Sequence, residues 1–92
     1  MTNLAVKIAV IESEAGFGSR LDDWMVCLSI EDAHQFKKEF NAENNKSYVP
    51  SWYMRAEGEA LPIELNDKQY QKLLSGKRAW LSTLKSNELH RS

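Results

Sequence analysis

The feature that most constrains this chain is an apolar segment near its start, Leu4 to Ile11. Side chains at alternate positions share one face of a strand, and here both sets are largely apolar, with Lys7 as the one charged side chain. The segment is rich in β-branched residues, which are frequent in strands. A strand with two apolar faces is typical of the middle of a sheet rather than its edge. We therefore expect a sheet built around this segment.

A second strand is predicted over residues 24–28, where Trp24, Val26 and Leu28 share one face. The simplest pairing of the two strands is antiparallel. Residues 12–23 between them contain two glycines and four carboxylates, so they are predicted to form a long loop. Connections of this length in small domains are often functional.

A helix is predicted to follow, with Ser29 as its N-cap. The carboxylates of Glu31 and Asp32 suit the first turn, because the helix dipole favours negative charge there. Apolar residues then recur every three to four positions. The helix is expected to end within residues 41–45, and residues 46–50 are predicted to form a loop.

A third strand is predicted over residues 51–57, with Trp52, Met54 and Ala56 facing the core. Gly58 interrupts the alternation, and a short extended segment follows over residues 61–65. That segment contains Pro62, which has no N–H to donate to a neighbouring strand, so an edge position is expected.

The last helix is predicted to begin after Asn66, with Gln69 in the reciprocal position of a capping box. Its apolar residues stay in phase across Gly76, which predicts one continuous helix at a cost of about 1 kcal/mol for the glycine. The alternative is a helix end at Gly76 and a second short helix from Lys77. Residues 87–92 are predicted to be a frayed tail.

The predicted element order is β-β-α-β-(β)-α. This order indicates an α+β fold, with a small antiparallel sheet of three to four strands and two helices on one face. A chain of 92 residues is long enough for a single domain only, so residues 1–92 are assigned to one.

The net charge of −1 conceals an uneven distribution. Residues 1–66 carry six basic and eleven acidic side chains, which gives −5. Residues 67–92 carry six basic and two acidic side chains, which gives +4. An acidic body with a basic end is typical of a protein that binds an acidic partner, or a second copy of itself.

The apolar run at the start of the chain is too short to cross a bilayer, and no basic segment precedes it as in a secretory signal. We expect a cytoplasmic protein without a membrane partner. The lone cysteine, Cys27, lies in an apolar run and is expected to be a buried, unreactive thiol. No cofactor, no metal and no catalytic activity are expected, because no nucleophile is placed beside a base by local spacing.

Two segments are candidates for contact with a protein partner. The first is the 12–23 loop, which would present Phe17 to a partner. The second is the basic side of the last helix, where lysines and arginines flank the apolar stripe. The predicted partner-binding residues are Phe17, Arg20, Lys68, Lys72, Arg78 and Lys85.

The glycine-rich stretch in the same loop supports an alternative, a small-ligand or nucleotide site. Its residues would be Gly16, Gly18, Ser19 and Arg20, which supply close backbone approach, a hydroxyl and a guanidinium. A strand rather than a helix follows these glycines, unlike a dinucleotide or P-loop motif. The four carboxylates of the loop would repel an anion, and they lack the order of a calcium loop.

Aromatic residues with a basic neighbour on the third strand suggest a further class, a binder of single-stranded nucleic acid. The alternation leaves only Tyr53 and Arg55 pointing outward, because Trp52 is assigned to the core. The surrounding residues are acidic, so nucleic acid is the less favoured partner.

The segment IEDAHQFKKEFN, residues 30–41, precedes VPSWY, residues 49–53, and follows a short strand. This arrangement resembles the small accessory proteins of large T4-type tailed phages, many of which have a strand, a helix opening with an acidic pair and Ala, and another strand. The resemblance covers residues 4–65, excludes the last helix and transfers no catalytic residue. It implies an early phage protein, a group that includes inhibitors of host enzymes and of host defence proteins. A protein-binding module is therefore the leading expectation, with a homodimer as one form of it. If a phage encodes the protein, the host cytoplasm is its expected location.

Overall fold

The computed structural model describes residues 3–46 and 52–89. Four antiparallel strands form one sheet in the order β3-β1-β2-β4, which confirms the α+β class and the antiparallel sheet. The first strand has a neighbour on each side, as its two apolar faces predict. The elements are β1 (Asn3–Glu14), β2 (Gly18–Cys27), α1 (Ile30–Lys46), β3 (Trp52–Leu65), α2 (Asp67–Gly76), β4 (Arg78–Trp80) and α3 (Leu81–Leu89).

The helices cover both faces of the sheet, so the predicted placement of two helices on one face is wrong. Val26 and Cys27 are neighbours on β2 and therefore point to opposite faces. Cys27 packs in a core cluster with Ala33 and Phe36 of α1. Val26 packs in a second cluster, whose helical members come from α2 and α3: Leu73, Leu81 and Leu84. Two apolar faces on β1 require this arrangement, since each must be covered.

Residues 12–23 form paired strands rather than the predicted loop. β1 and β2 pair without interruption from Glu14, opposite Gly18, back to Ile11, opposite Leu21. The register then shifts, because Val10 lies opposite Asp23 and leaves Asp22 as an extra residue. The segment is polar because it extends beyond the cores, and every residue from Glu14 to Asp22 is exposed.

β3 is a single strand at the edge of the sheet, and the edge position expected from Pro62 is confirmed. Gly58 is an irregularity within β3 rather than its end. Lys7 of β1 lies opposite Leu61 and Ala9 lies opposite Glu57, so β3 has extra residues at this point. The φ of +84° at Gly58 is readily adopted only by glycine.

The predicted start of α1 is confirmed. The Ser29 hydroxyl accepts a hydrogen bond from the backbone N–H of Asp32 at 3.1 Å, as an N-cap does. The helix continues to Lys46, past the asparagines that were expected to end it. Residues 47–50 of the predicted loop, residue 51 and the side chain of Trp52 lie outside the described residues.

The last helix is interrupted, so the prediction of one helix through Gly76 is wrong. α2 begins with the expected capping box of Asn66 and Gln69, and ends at Gly76. Lys77 takes a left-handed conformation with φ +70°, which turns the chain out of the helix. The alternative prediction of a break was right, but a strand intervenes and α3 begins at Leu81.

Strand pairing and ring contacts explain why the helix does not continue. Ala79 pairs with Val26 and Trp80 pairs with Met25, which adds β4 to the sheet. The Trp80 ring lies edge-on to two rings of α1, those of Phe36 and Phe40, at centroid distances of 6.0 and 6.3 Å. The apolar spacing alone does not distinguish this strand from helix. The predicted tail, residues 87–92, overlaps the end of α3, and residues 90–92 lie outside the described residues.

The outer edge of β3 is closed by an asparagine of α1. The Asn41 side-chain amide donates to the Ala56 carbonyl at 3.0 Å and accepts from the Ala56 N–H at 2.8 Å. These are the two bonds that a neighbouring strand would supply. One turn earlier, the Lys37 ammonium donates to the Gly58 carbonyl at 2.9 Å. Edge strands left open promote aggregation, so α1 protects β3 at this point.

We predict that Asn41→Ala lowers the free energy of unfolding by about 1–3 kcal/mol, because the two backbone groups of buried Ala56 lose their partner. Urea unfolding followed by circular dichroism measures this loss. Lys38→Ala is the matched control, because Lys38 is an exposed residue of the same helix. Equal stability of the two variants would contradict the role assigned to Asn41.

Candidate functional site

The predicted partner-binding residues lie on two separate surfaces. Phe17 and Arg20 are at the far end of the β1–β2 hairpin. Lys68 is in the first turn of α2, beside the opposite end of β1, where the Asn3 amide donates to the Asp67 carboxylate at 2.9 Å. Strands rise about 3.3 Å per residue, so roughly 35 Å of β1 separates the two surfaces. This separation was not predicted, because the first strand was expected to end at Ile11 and residues 12–23 were expected to form a loop.

The hairpin tip, residues Glu14 to Gly18, is a tight turn. The Phe17 N–H donates to the Glu14 carbonyl at 3.0 Å. Gly16, the third residue of that turn, has φ +85°, and Gly18 has φ +83°. Both values lie in the region that glycine adopts without strain. The two glycines therefore serve the turn, and their conformation fixes where Phe17 points.

Phe17 projects from the hairpin tip with 84% of its surface exposed. Leu21, also on the hairpin, is 51% exposed. The hairpin lengthens the molecule, whose radius of gyration of 14.3 Å exceeds the roughly 12 Å expected for a compact chain of this size. A phenyl ring held out in water on an ordered turn contributes little to the fold and is free to pack against another molecule.

One edge of the hairpin has no strand beside it. β4 pairs only with residues Met25 to Cys27 of β2. Among the described residues, no strand pairs with the outer side of β2 from Gly18 to Asp22. At Asp23 this edge ends, because its carboxylate accepts hydrogen bonds from the Trp24 N–H and from Ser82 of α3. An edge of this kind offers backbone hydrogen bonds to an added strand of another protein. The exposed edge and Phe17 are adjacent, so one partner would reach both.

The residues of the alternative ligand site are engaged within the hairpin. The Arg20 guanidinium contacts the Glu12 carboxylate at 2.8 Å, and this contact raises the pKa of Arg20. The Ser19 hydroxyl is hydrogen-bonded to that of Ser13 across the strands. A small hollow beside them, of about 210 Å³, is lined by Glu12, Glu14, Phe17, Gly18 and Arg20. Its two carboxylates outnumber its one guanidinium, which opposes an anionic ligand.

The predicted basic surface is divided among three elements. Lys68 and Lys72 lie one turn apart on α2, as expected, and both are exposed. Lys85 is an exposed residue of α3. Arg78 belongs to β4, so its predicted place on the basic side of the last helix is wrong. No ion pair joins these three lysines to a carboxylate within residues 3–46 and 52–89.

Arg78 is a structural residue rather than a free surface cation. Its guanidinium contacts the Asp32 carboxylate at 2.8 Å and the Glu39 carboxylate at 3.0 Å, and lies over the Phe36 ring. These contacts form an arginine clamp, the set of Arg78, Asp32 and Glu39, which ties β4 to α1. Hydrogen bonds from Arg78 hold the pKa of Asp32 below its ordinary value.

The outward residues of the third strand do not form a basic stacking surface. The Arg55 guanidinium lies 3.8 Å from the Glu57 carboxylate, two positions along the same face of β3. The Lys7 ammonium, on the same side of the sheet, lies 4.2 Å from the centre of the Trp24 ring, whose own position is within the second core cluster. The charge of Arg55, the basic neighbour of Tyr53, is therefore partly neutralised. That nucleic acid is the less favoured partner stays a prediction.

Cys27 is fully buried on β2, in agreement with the expected buried thiol. Burial raises its pKa to about 11, and the nearby Asp32 carboxylate contributes to the increase. The thiolate is the reactive form, so this side chain is a poor nucleophile at neutral pH. Within the described residues, no group of His, Cys, Asp and Glu is arranged to hold a metal ion. None of the helices that the structure describes is long and apolar enough to cross a membrane.

Comparison with protein-family models, curated proteins and solved structures found no significant match to this chain.

We predict that Asp32→Asn weakens the arginine clamp and lowers stability by about 1–3 kcal/mol at pH 7. The folded pKa of Asp32 lies below its ordinary value of 3.8. Its carboxylate therefore stabilises the fold above that value, and the contribution is lost as the pH falls further. The stability difference between the two proteins should shrink below about pH 4. Chemical denaturation from pH 2 to 7 measures it.

Glu31→Gln is the matched control, because Glu31 lies in the same exposed first turn of α1 and has no contact with Arg78. It removes a similar helix-dipole interaction without touching the arginine clamp. The same loss of stability in both variants would assign the effect to the dipole instead.

We predict that iodoacetamide labels Cys27 slowly in the folded protein at pH 7 and quickly in denaturant, because the thiol is buried and protonated. Mass spectrometry follows the labelling without ambiguity, since the chain has one cysteine. Labelling of the native protein at the rate of a free thiol would contradict the buried position.

Proposed function

We propose that this chain is a non-enzymatic protein-binding module and that the β1–β2 hairpin is its principal contact element. The observation that carries the proposal is the 84% exposure of Phe17 on a turn whose conformation two glycines fix. Large aromatic side chains are common at the centres of protein interfaces, where they fill pockets of the partner. Their exposure in water has a free-energy cost that a partner removes.

The surroundings of Phe17 support a protein partner over a small molecule. The hairpin combines an aromatic anchor, an exposed Leu21 and an unpaired strand edge from Gly18 to Asp22. The adjoining hollow of about 210 Å³ is smaller than the 300–1,000 Å³ typical of ligand pockets. Protein surfaces match an anchor beside a strand edge better than a small ligand does.

We propose further that the partner is a host protein whose activity the module inhibits in the cytoplasm. This finer statement is supported by the resemblance of residues 4–65 to the small accessory proteins of T4-type phages. An inserted hairpin would act by occupying a surface that the host protein uses. The nucleotide-binding alternative is tested separately by a thermal-shift screen, because a saturating nucleotide would raise the melting temperature.

We predict that Phe17→Ala weakens partner binding at least tenfold while leaving stability within about 0.5 kcal/mol. Burial of a phenyl ring contributes about 1.5–3 kcal/mol, and the ring makes no core contact to lose. The tagged protein first recovers binding proteins from a bacterial lysate. The affinity of each recovered protein is then measured against the wild type and the variant.

Leu4→Ala is the matched control, because Leu4 is a 70% exposed apolar residue at the other end of β1. It should retain full binding. Equal affinity of the Phe17→Ala variant and the wild type for every recovered protein would remove the hairpin tip from the proposal. Full catalytic activity of the bound partner would contradict inhibition but not binding.

A further inference from the structure

A second surface, distant from the hairpin, combines a cleft with unpaired positive charge. The cleft has a volume of about 440 Å³ and lies between the start of α1, the end of α2 and the first residue of β4. Its lining residues are Leu28, Ser29, Asp32, Gly76, Lys77 and Arg78. Arg78 is paired with both Asp32 and Glu39 in the arginine clamp, so Lys77 is the one cation of the lining that has no carboxylate partner among the described residues.

The conformation of Lys77 is an independent observation. Its φ of +70° makes it the only non-glycine residue with positive φ among those the structure describes. Glycine is strongly preferred at this position after a helix, because a side chain there is strained. A lysine at this position has a conformational cost, and residues with such strain cluster at functional sites. Lys77 is exposed and lines the cleft.

Two further lysines lie along the approach to this cleft. Lys68, Lys72 and Gly76 are four residues apart on α2, so they share one side of the helix. The row ends at Gly76, which lines the cleft. Within the described chain, neither lysine has a carboxylate partner. The cleft is thus the end of a positively charged track about two turns long.

The other features of the cleft fit an extended peptide. Leu28 offers a partly exposed apolar side chain in the lining. β4 has one strand neighbour, β2, and its outer side pairs with no other described strand. Nucleic acid fits the cleft less well. No aromatic side chain is in the lining to stack on a base, and three lysines neutralise few of the phosphates of a strand.

We infer that the cleft between α1 and α2 binds an acidic, extended segment of a partner protein, with Lys77 as the anchoring cation. Lys68 and Lys72 contact further carboxylates of the same segment. Leu28 packs against one of its apolar side chains. This site is independent of the hairpin, so it extends the proposed function to a second contact surface.

The decisive variant is Lys77→Gly, because glycine relieves the left-handed conformation. We expect its melting temperature to rise by several degrees, so that loss of binding is not confused with loss of folding. The probe is a fluorescent peptide in which Glu and Val alternate, and its binding is measured by fluorescence anisotropy at low salt. We expect the affinity of Lys77→Gly to be about fivefold lower than that of the wild type, and Lys77→Arg to restore it.

Three controls test whether the effect is specific to the cleft, whether it is independent of the hairpin and whether it needs the negative charge of the peptide. Lys38→Glu removes an exposed cation of α1 that does not line the cleft and should have little effect on affinity. Phe17→Ala should bind the peptide normally, because the two surfaces are distinct; failure of the hairpin proposal therefore leaves this test unaffected. A peptide alternating Lys and Val should not bind.

Several results would overturn the inference. These are an unchanged affinity of Lys77→Gly, an equal loss in Lys38→Glu, or the absence of binding by the wild type. Tighter binding of a single-stranded DNA probe that depends on the same lysines would assign the track to nucleic acid instead.

Discussion

The burial of β1 on both of its faces is the constraint on which the other elements depend. A strand with two apolar faces needs a neighbour on each edge and a helical layer on each side. β2 and β3 provide the neighbours, and α1 covers the face that includes Ile8. The opposite face, which includes Ala5, is covered from the end of the chain. The chain meets this second requirement by turning residues 67–89 back across the sheet.

That requirement explains the break after α2. One straight helix would cover the second face but would leave Val26 and Met25 of β2 without a strand on their outer side. The chain instead ends α2 at Gly76, turns at Lys77 and inserts β4 before α3 continues the cover. The arginine clamp and the Trp80 ring then fix β4 to α1 on the other face. The strain at Lys77 is part of the cost of this path.

Local patterns in the sequence predicted the parts of the fold that local interactions determine. β1, the Ser29 cap, the capping box at Asn66 and the edge position of β3 all follow from periodicity, capping chemistry or the missing N–H of a proline. The hairpin was predicted as a loop because strands outside a core have no apolar alternation to reveal them. β4 was missed because three residues are too few for periodicity to separate strand from helix. β4 is stabilised by residues distant in the sequence, through its pairing with β2 and through the contacts of Arg78 with α1.

For the candidate surfaces too, the sequence predicted local features and missed those that depend on distant residues. Phe17 was identified from its place between two glycines, and the structure adds its exposure and the open edge of β2. Arg78 was counted with the surface lysines because a sequence does not show that Asp32 and Glu39 neutralise it. Arg78 and Arg20 are both paired, so the exposed cations among the described residues from Asp67 onward are Lys68, Lys72, Lys77 and Lys85. The hairpin at the other end is acidic, with Glu14 and Asp22 exposed near Phe17. The two proposed surfaces therefore have opposite charge. A single partner that contacts both would need basic groups at the hairpin and acidic groups at α2, so it would bind in one orientation along the sheet.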